Sequence, residues 1–130
     1  MVVGGGQSIN DFDPNPLIGN GRAISILLAR EGATVTVIDR SLTAAQGTVD
    51  IIREEAAGEA IAVVGDVSTP EGCEDTVKSS LQALGGTVDG MVIVIGVVGD
   101  ACSVEANAKA RADYWDCVIN LNLQAHYLLM

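Results

Sequence analysis

Two glycine clusters and one aspartate carry the strongest chemical signal in this sequence. Gly4-Gly5-Gly6 follows a short apolar run, and Gly19-Asn20-Gly21 precedes an apolar pattern of helical spacing. Glycines let the backbone approach a phosphate closely, and a helix N-terminus adds partial positive charge there. Asp39 ends a second apolar run, 18 residues after Gly21. This spacing is typical of a site that binds the pyrophosphate and the ribose of a dinucleotide.

Each of these residues also has a purely structural interpretation. The glycines can form a tight turn, and Asp39 can be a solvated carboxylate at a strand end. As a ligand, Asp39 would accept hydrogen bonds from ribose hydroxyls and repel a 2′-phosphate, which favours NAD over NADP. Arg40 could pair with such a phosphate instead. Asp66, followed by Val67, ends a third apolar run and either lies near the adenine or caps a turn.

The elements that would position these residues alternate between strand and helix patterns. Apolar runs predict buried strands over residues 1–3, 34–39, 60–65 and 90–95. Helical spacing lies between them over residues 23–30, about 41–57 and 70–84, and again over residues 110–130. This order predicts an α/β fold, a Rossmann-like doubly wound parallel sheet truncated after about four strands. We expect residues 1–130 to form one partial domain.

Local signals bound several of these helices. Ser41 and Thr69 are predicted N-caps, and Pro70 suits a first helical position. Gly32 and the pair Gly85-Gly86 are predicted to end helices. The apolar side chains expected to face the sheet are Ile24, Leu27 and Leu28 in the first helix, Val49 and Ile52 in the second, and Cys73, Val77, Leu81 and Leu84 in the third.

Composition excludes several classes of function. The 130 residues carry a net charge of −10, which disfavours nucleic acids and anionic membranes as partners. We find no apolar run near the roughly 20 residues of a membrane span and no secretory signal. Cys73, Cys102 and Cys117 lack CxxC spacing, which indicates unpaired thiols in the cytoplasm. His126 is the only histidine, so no metal site is expected.

Five motifs in this order resemble the short-chain dehydrogenase/reductase family. The run from Gly19 to Ile24 is similar to the second half of its TGxxxGxG turn, and the segment ending at Asp39-Arg40 is similar to the end of its second strand. Gly65-Asp66-Val67 resembles its adenine-side motif, and Val88-Asp89-Gly90 leads into its fourth strand. Residues 115–123 resemble its long interface helix. The resemblance covers nearly all of this chain but about half of a typical family member.

The resemblance implies NAD(P)-dependent hydride transfer between an alcohol and a carbonyl compound. It implies NAD as the cofactor, with NADP less favoured, and Asn122 as a catalytic asparagine of the proton relay. The cofactor-binding residues that it implies, together with the glycine clusters, are Gly4, Gly6, Gly19, Gly21, Asp39, Arg40, Asp66, Val67 and Gly96.

Three departures concern the cofactor site. Val3 stands where the family has a threonine whose hydroxyl ties the turn together. Residues 7–18 interrupt the turn with an insertion that holds Asp11 and Asp13, which is either accommodated there or a surface loop without function. The family's NNAG motif is replaced by Ile93-Val94-Ile95-Gly96, in which only the glycine survives. We therefore expect weakened cofactor binding.

The fourth departure concerns catalysis. The family uses a serine and a tyrosine with a lysine four residues later. Position 118, four after Tyr114, is a valine, and four after Tyr127 lies past the last residue; both lysines come earlier. We expect no dehydrogenase turnover from this chain. The alternatives are a non-catalytic nucleotide-binding module or a truncated, inactive product; a methyltransferase would leave residues 115–123 unexplained.

The last predicted helix has an apolar stripe with two interpretations. Its members are Trp115, Val118, Ile119, Leu123 and Tyr127. They are either core residues packed on the sheet or, as the resemblance implies, part of a subunit interface. We predict self-association through this C-terminal helix because exposed apolar area promotes association.

Overall fold

The computed structural model describes residues 1–7, 17–55, 58–97 and 107–130. Its strands are β1 (Val2–Val3), β2 (Val35–Asp39), β3 (Ala60–Val64) and β4 (Val92–Ile93). Its helices are α1 (Asn20–Arg30), α2 (Leu42–Glu54), α3 (Pro70–Ala83), α4 (Ala108–Ile119) and α5 (Ala125–Leu129), and a π-helical turn (Asn120–Gln124) joins α4 to α5. The described strands form one parallel sheet in the order β3-β2-β1-β4. This architecture confirms the predicted α/β, Rossmann-like fold.

The sheet is covered on both faces, which explains its continuous apolar strands. One core cluster packs β2 side chains such as Val35 and Val37 against α1 and α2. The other cluster packs Ile38 of β2 against residues of α3 and α5. The side chains of residues 35–38 are at most 2% exposed. The prediction that this strand is buried on both faces is therefore confirmed.

The predicted helix boundaries are largely present. The Ser41 hydroxyl accepts a hydrogen bond from the Ala44 N–H at 3.3 Å, and the Thr69 hydroxyl accepts one from the Gly72 N–H at 3.1 Å. Pro70 occupies the first turn of α3, as predicted. These caps satisfy N–H groups that the helices cannot pair internally.

Glycines end α1 and α3 in the same way. Gly32 has a φ of +90°, and its N–H donates to the Ala29 carbonyl at 3.0 Å. Gly85 and Gly86 have φ values of +77° and +102°. L-residues rarely adopt this left-handed conformation, so these glycines stop each helix as predicted.

Several sequence predictions are corrected at the edges of elements. The described part of α2 ends at Glu54 rather than near residue 57, which lies outside the described residues. Only Val92 and Ile93 form β4, although residues 90–95 were predicted. The last helix begins at Ala108, because the Asn107 side chain caps it at Ala110.

Some side chains predicted to be buried are exposed. Leu27 of α1 is 55% exposed, because α1 buries Ser25, Ile26 and Ala29 instead. Strand β3 was predicted to be buried, but Val64 is 53% exposed because β3 lies at the edge of the sheet. An edge strand has a neighbour on one side only, so its apolar side chains are less completely covered.

The apolar stripe of the last helix is also largely uncovered. Trp115, Leu123 and Tyr127 are 65%, 63% and 74% exposed. Their interpretation as core residues is therefore wrong for these three positions. Ala125 and Leu129 are the buried residues of α5, and small or aliphatic side chains at these positions make the contact with α3 and the sheet.

Candidate dinucleotide-binding site

The carboxyl ends of the parallel strands bring most of the predicted site residues to one edge of the sheet. Gly4 follows β1, Asp39 ends β2, Asp66 follows β3 and Gly96 follows β4. In open α/β sheets, ligands bind in the crevice beyond these strand ends. The opposite edge holds a cleft of about 830 Å³ between strand starts, and its lining includes Val35 and Val92. None of the predicted site residues lines that cleft.

The two glycine clusters meet in direct backbone contact. Gly4 has a φ of +82°, and a Cβ there would lie 2.6 Å from the Val94 carbonyl oxygen. A Cβ at Gly21 would overlap the Gly4 carbonyl oxygen. Only glycines allow the start of α1 to approach the end of β1 this closely. The two glycine clusters therefore lie side by side, and residues 8–16 of the insertion, with Asp11 and Asp13, lie outside the described residues.

Asp39 lies beside the glycine turn. A Cβ at Gly6 would overlap the Asp39 carboxylate, so the absence of a side chain at Gly6 leaves space for that carboxylate. The second oxygen of the carboxylate accepts a hydrogen bond from the Ser41 N–H at 3.0 Å. The side chain is half-buried and fixed at the start of α2. This position suits a carboxylate that accepts hydrogen bonds from ribose hydroxyls.

Thr48 is a supporting residue that the sequence analysis missed. Its hydroxyl lies 2.9 Å from the Gly5 carbonyl oxygen, to which it donates, and 3.0 Å from Nε of Arg22, from which it accepts. This side chain ties the turn to α2, while Val3, at the family's threonine position, is buried in the sheet. Thr48 lies next to Val49 in the buried stripe of α2. The sequence signal that could have indicated this residue is a hydroxyl side chain within the apolar stripe of the helix.

Gln7 is the second residue that the sequence analysis missed. Its side-chain Oε1 accepts a hydrogen bond from the Gly19 N–H at 2.7 Å. Its Nε2 donates to the Leu17 carbonyl at 2.9 Å. Gln7 therefore joins the two sides of the insertion at their base. No local pattern indicated this contact, because it links residues 12 positions apart.

Asp66 and Val67 follow β3 with different surroundings. The Asp66 carboxylate is exposed and accepts a hydrogen bond from the Ser68 N–H at 3.0 Å. This bond, with a smaller effect from the positive charge of Arg40, holds the pKa of Asp66 below its ordinary value. Val67 is buried, and its carbonyl accepts a weak hydrogen bond from the Cys73 thiol. The Asp66 carboxylate thus caps the turn at Ser68.

Asn122 lies in the π-helical turn and reaches the end of β4. Its Oδ1 accepts a hydrogen bond from the Val97 N–H at 2.8 Å, and its Nδ2 donates to the Val97 carbonyl at 3.0 Å. Gly96 lies against the same amide, since a Cβ there would be 3.4 Å from Asn122 Oδ1. The π turn displaces the helix by one residue, and such turns are frequent at functional sites. The side chain that the resemblance implied is therefore held at the predicted edge.

Among the described residues, the lysine side chains donate to carboxylates, and no hydrogen bond joins a lysine to a tyrosine. Lys78 pairs with Glu74 at 3.2 Å, and Lys109 pairs with Asp113 at 2.7 Å, each within its own helix. Tyr127 is 74% exposed. In the same ranges, the side chains provide no group of three His, Cys, Asp or Glu residues suited to a metal. No helix there combines the length and apolarity needed to cross a bilayer.

The sheet and its covering helices define a Rossmann-like α/β fold. The family model for short chain dehydrogenases matches residues 18–130. The chain therefore belongs to the short-chain dehydrogenase family, an oxidoreductase family that binds nicotinamide cofactors.

Individual relatives agree with this assignment. The chain is 34% identical over 117 residues to the hydroxyacyl-CoA dehydrogenase ChsB1 of Mycobacterium tuberculosis, covering 85% of this chain and 34% of that protein. A short-chain dehydrogenase/reductase of Burkholderia xenovorans has a similar structure, with a TM-score of 0.77 and 29% identity, over 98% of this chain and 46% of that one. A metagenomic short-chain oxidoreductase in complex with NADP has a TM-score of 0.69 and 28% identity, over 84% of this chain and 46% of that one. The chain thus spans between a third and half of the length of these relatives.

Proposed function

We propose that this chain is the cofactor-binding part of an NAD(P)-dependent oxidoreductase and forms one partial Rossmann domain over residues 1–130. The observation that carries the proposal is the contact of Gly6 with Asp39 and of Gly21 with Gly4 at the carboxyl edge of the sheet. Both contacts are closer than a Cβ would allow, so the turn requires glycine at these positions. The complete protein would transfer hydride between the cofactor and an alcohol or carbonyl substrate.

Each described part of the edge suits one part of the dinucleotide. The N–H groups of Asn20, Gly21 and Arg22 begin α1 and suit the pyrophosphate. Asp39, beside Arg40, suits the adenosine ribose, and Asp66 with Val67 suits the adenine. Gly96 and Asn122, which touch at the end of β4, suit the nicotinamide side. When bound, the cofactor supplies or accepts the hydride.

We further propose that NAD is preferred over NADP. The Asp39 carboxylate is oriented by the Ser41 N–H and would repel a 2′-phosphate. Arg40 is exposed, and its charge acts on Asp66, which lies on the neighbouring strand end. The metagenomic relative bound to NADP shows that the family also accepts the phosphorylated cofactor.

The test is calorimetric titration of the chain and of an Asp39→Ala variant with NADH and NADPH. We expect micromolar binding of NADH, weakened about tenfold or more in the variant, because a hydrogen bond to a charged group contributes about 1.5–3 kcal/mol. NADPH binding should weaken less or improve. Asp50→Ala, an exposed position on α2, is the matched control. Equal NADH affinity of Asp39→Ala and the unaltered chain would contradict the proposed role of Asp39.

We propose that the chain alone has no dehydrogenase turnover. A carbonyl that accepts hydride needs a proton donor at its oxygen, and each described lysine pairs with a carboxylate of its own helix. This behaviour would match a non-catalytic nucleotide-binding module. NADH oxidation with a panel of ketones and aldehydes, by chain purified free of host enzymes, would contradict it.

The described thiols are consistent with a reducing cytoplasm, which we propose as the location. Cys73 and Cys117 are free cysteines in the structure. Burial raises the pKa of the Cys73 thiol, so it is less reactive than an ordinary cysteine.

A further inference from the structure

Gln7 closes the base of the insertion with both atoms of its side-chain amide. Its Oε1 accepts from the Gly19 N–H at 2.7 Å, and its Nε2 donates to the Leu17 carbonyl at 2.9 Å. An amide offers an acceptor and a donor side by side, so one side chain can satisfy both partners. The insertion therefore begins and ends at the same point, where α1 starts.

Helix α1 receives from Gln7 the cap that its own residues do not provide. Its N-cap is Gly19, which has no side chain. In a capping box, a Glu or Gln at the third helical position bonds to the N-cap N–H. That position is Arg22 here, and its Nε donates to Thr48 at 3.0 Å instead. Gln7 performs the capping-box role from outside the helix.

This cap determines which N–H groups remain for a ligand. The first turn of a helix has N–H groups without intrahelical acceptors. In α1 the first i→i−4 backbone hydrogen bond is donated by the Ala23 N–H to the Gly19 carbonyl at 2.9 Å. Gln7 occupies the N–H of Gly19, so the donors that follow are those of Asn20, Gly21 and Arg22. These are the groups that suit a pyrophosphate.

We propose that Gln7 is a positioning residue of the dinucleotide site, which rests on the proposed function. It fixes the first turn of α1 opposite residues 4–6 and keeps the base of the insertion uncharged. A Cβ at Gly19 would lie 3.3 Å from the Gln7 Oε1, so the amide packs directly on the glycine. This clamp joins Gln7 to Leu17 and Gly19, and it supplements the contact of Thr48 with Gly5.

A negative charge introduced at position 7 distinguishes an effect on ligand binding from an effect on the stability of the fold. Glutamate is isosteric with glutamine and can still accept from the Gly19 N–H. A carboxylate near a helix N-terminus favours the helix, which offsets the lost bond to Leu17 and the repulsion between that carbonyl and the second carboxylate oxygen. The same carboxylate repels a bound pyrophosphate. Ligand binding should therefore fall while the stability of the free chain stays nearly constant.

The experiment compares the full chain with Gln7→Glu and Gln7→Met by calorimetry with NADH and by thermal unfolding without ligand. We expect Gln7→Glu to bind NADH about tenfold more weakly, with a deficit that shrinks as ionic strength rises from about 0.05 M to 0.5 M. Its unfolding midpoint should remain within about 3 °C of the unaltered chain. Gln7→Met removes both hydrogen bonds without adding charge, and its smaller deficit should not depend on salt.

Gln82→Glu is the matched control, because it adds the same charge at an exposed position near the end of α3. It should bind NADH like the unaltered chain. Unchanged NADH affinity in both Gln7 variants would overturn the positioning role. A loss of affinity in Gln7→Glu that tracks a loss of stability and ignores salt would also overturn it. Failure of the unaltered chain to bind NADH would instead overturn the proposed function, and this role with it.

Discussion

The glycine-turn region and the C-terminal region of this molecule differ in how completely they bury their apolar side chains. In the first region, formed by β1, β2, α1 and α2, Val2 and Val37 are fully buried. In the second, formed by β4, α4, the π turn and α5, both residues of β4 are only half-buried. Among the described residues, α4 contributes no buried side chain.

This difference shows which geometry is set by the chain's own packing. The glycine turn lies on a close-packed cluster, so the positions of Gly21 and Asp39 are determined by contacts on several sides. The position of Asn122 beside the end of β4 depends more on a few polar contacts, chiefly its two hydrogen bonds to Val97. Substitutions in the first region should therefore act through steric overlap, and those in the second through lost hydrogen bonds.

The largest effect is expected from Gly21→Ala. The added Cβ would overlap the Gly4 carbonyl oxygen, a backbone atom that cannot move without displacing β1. Overpacking of this kind costs about 1–3 kcal/mol, and misplaced N–H groups should weaken NADH binding about 100-fold. Calorimetry and urea unfolding measure the two effects.

Gly90→Ala is the control for this substitution, because a Cβ there meets no atom within 4 Å. It should leave both affinity and stability nearly unchanged. Normal NADH binding by Gly21→Ala would show that the turn does not hold the cofactor.

A smaller effect is expected from Asn122→Ala. The substitution removes both hydrogen bonds to Val97 and should lower the free energy of unfolding by about 1–2 kcal/mol. It should also accelerate amide exchange at Val97, as measured by NMR. Asn120→Ala, an exposed residue of the same π turn, should have little effect on either. Equal behaviour of the two variants would mean that Asn122 does not tether β4.

We predict that the C-terminal region mediates self-association. The expected change in association free energy is similar in size to the change in stability expected for Asn122→Ala. Trp115 and Tyr127 are 65% and 74% exposed, and apolar area of this kind is buried on association. A Trp115→Ser/Tyr127→Ser double variant should require about tenfold higher concentration to associate in sizing with light scattering. Leu42→Ser, at a 54% exposed position on α2, is the control. A clean monomer of the unaltered chain at high concentration would contradict the prediction.

The smallest effect concerns Asp66 and pH. Its pKa is lowered below the ordinary 3.8, first by the Ser68 hydrogen bond. A lowered folded-state pKa stabilises the fold above the unfolded-state pKa, and this contribution is lost as pH falls below about 3.8. The carboxylate is exposed, so the effect is small.

The comparison of Asp66→Asn with the unaltered chain measures this contribution. Asparagine can keep the bond to Ser68 but does not titrate. The unaltered chain should be slightly more stable in urea at pH 7, and the difference should shrink as pH falls below about 3.8. Asp75→Asn, at an exposed position on α3, is the control. A difference that persists at low pH would contradict the assignment.

The sequence predicted the features that depend on neighbouring residues. The caps at Ser41 and Thr69 and the glycine ends of α1 and α3 are local signals, and all are present. The strand and helix order also followed from apolar periodicity. Together these signals were sufficient for the fold and for the edge at which the site lies.

The missed features depend on contacts between distant residues. Gln7 bonds to Gly19 across 12 positions, and Thr48 to Gly5 across 43. The exposure of Trp115 and Val64 depends on which strands and helices become neighbours. The π turn interrupts a periodic helix without a proline or glycine. Periodicity and local propensity contain none of this information.

The most direct test is an NMR titration of ¹⁵N-labelled chain with NADH. We expect micromolar binding, with the largest amide shifts at residues 4–6 and 19–22 and at Asp39. The cleft at the opposite edge of the sheet, lined by residues such as Val35 and Val92, should be unaffected. Shifts centred on that cleft, or no shifts at millimolar NADH, would contradict the claim that this chain binds a dinucleotide at its glycine turn.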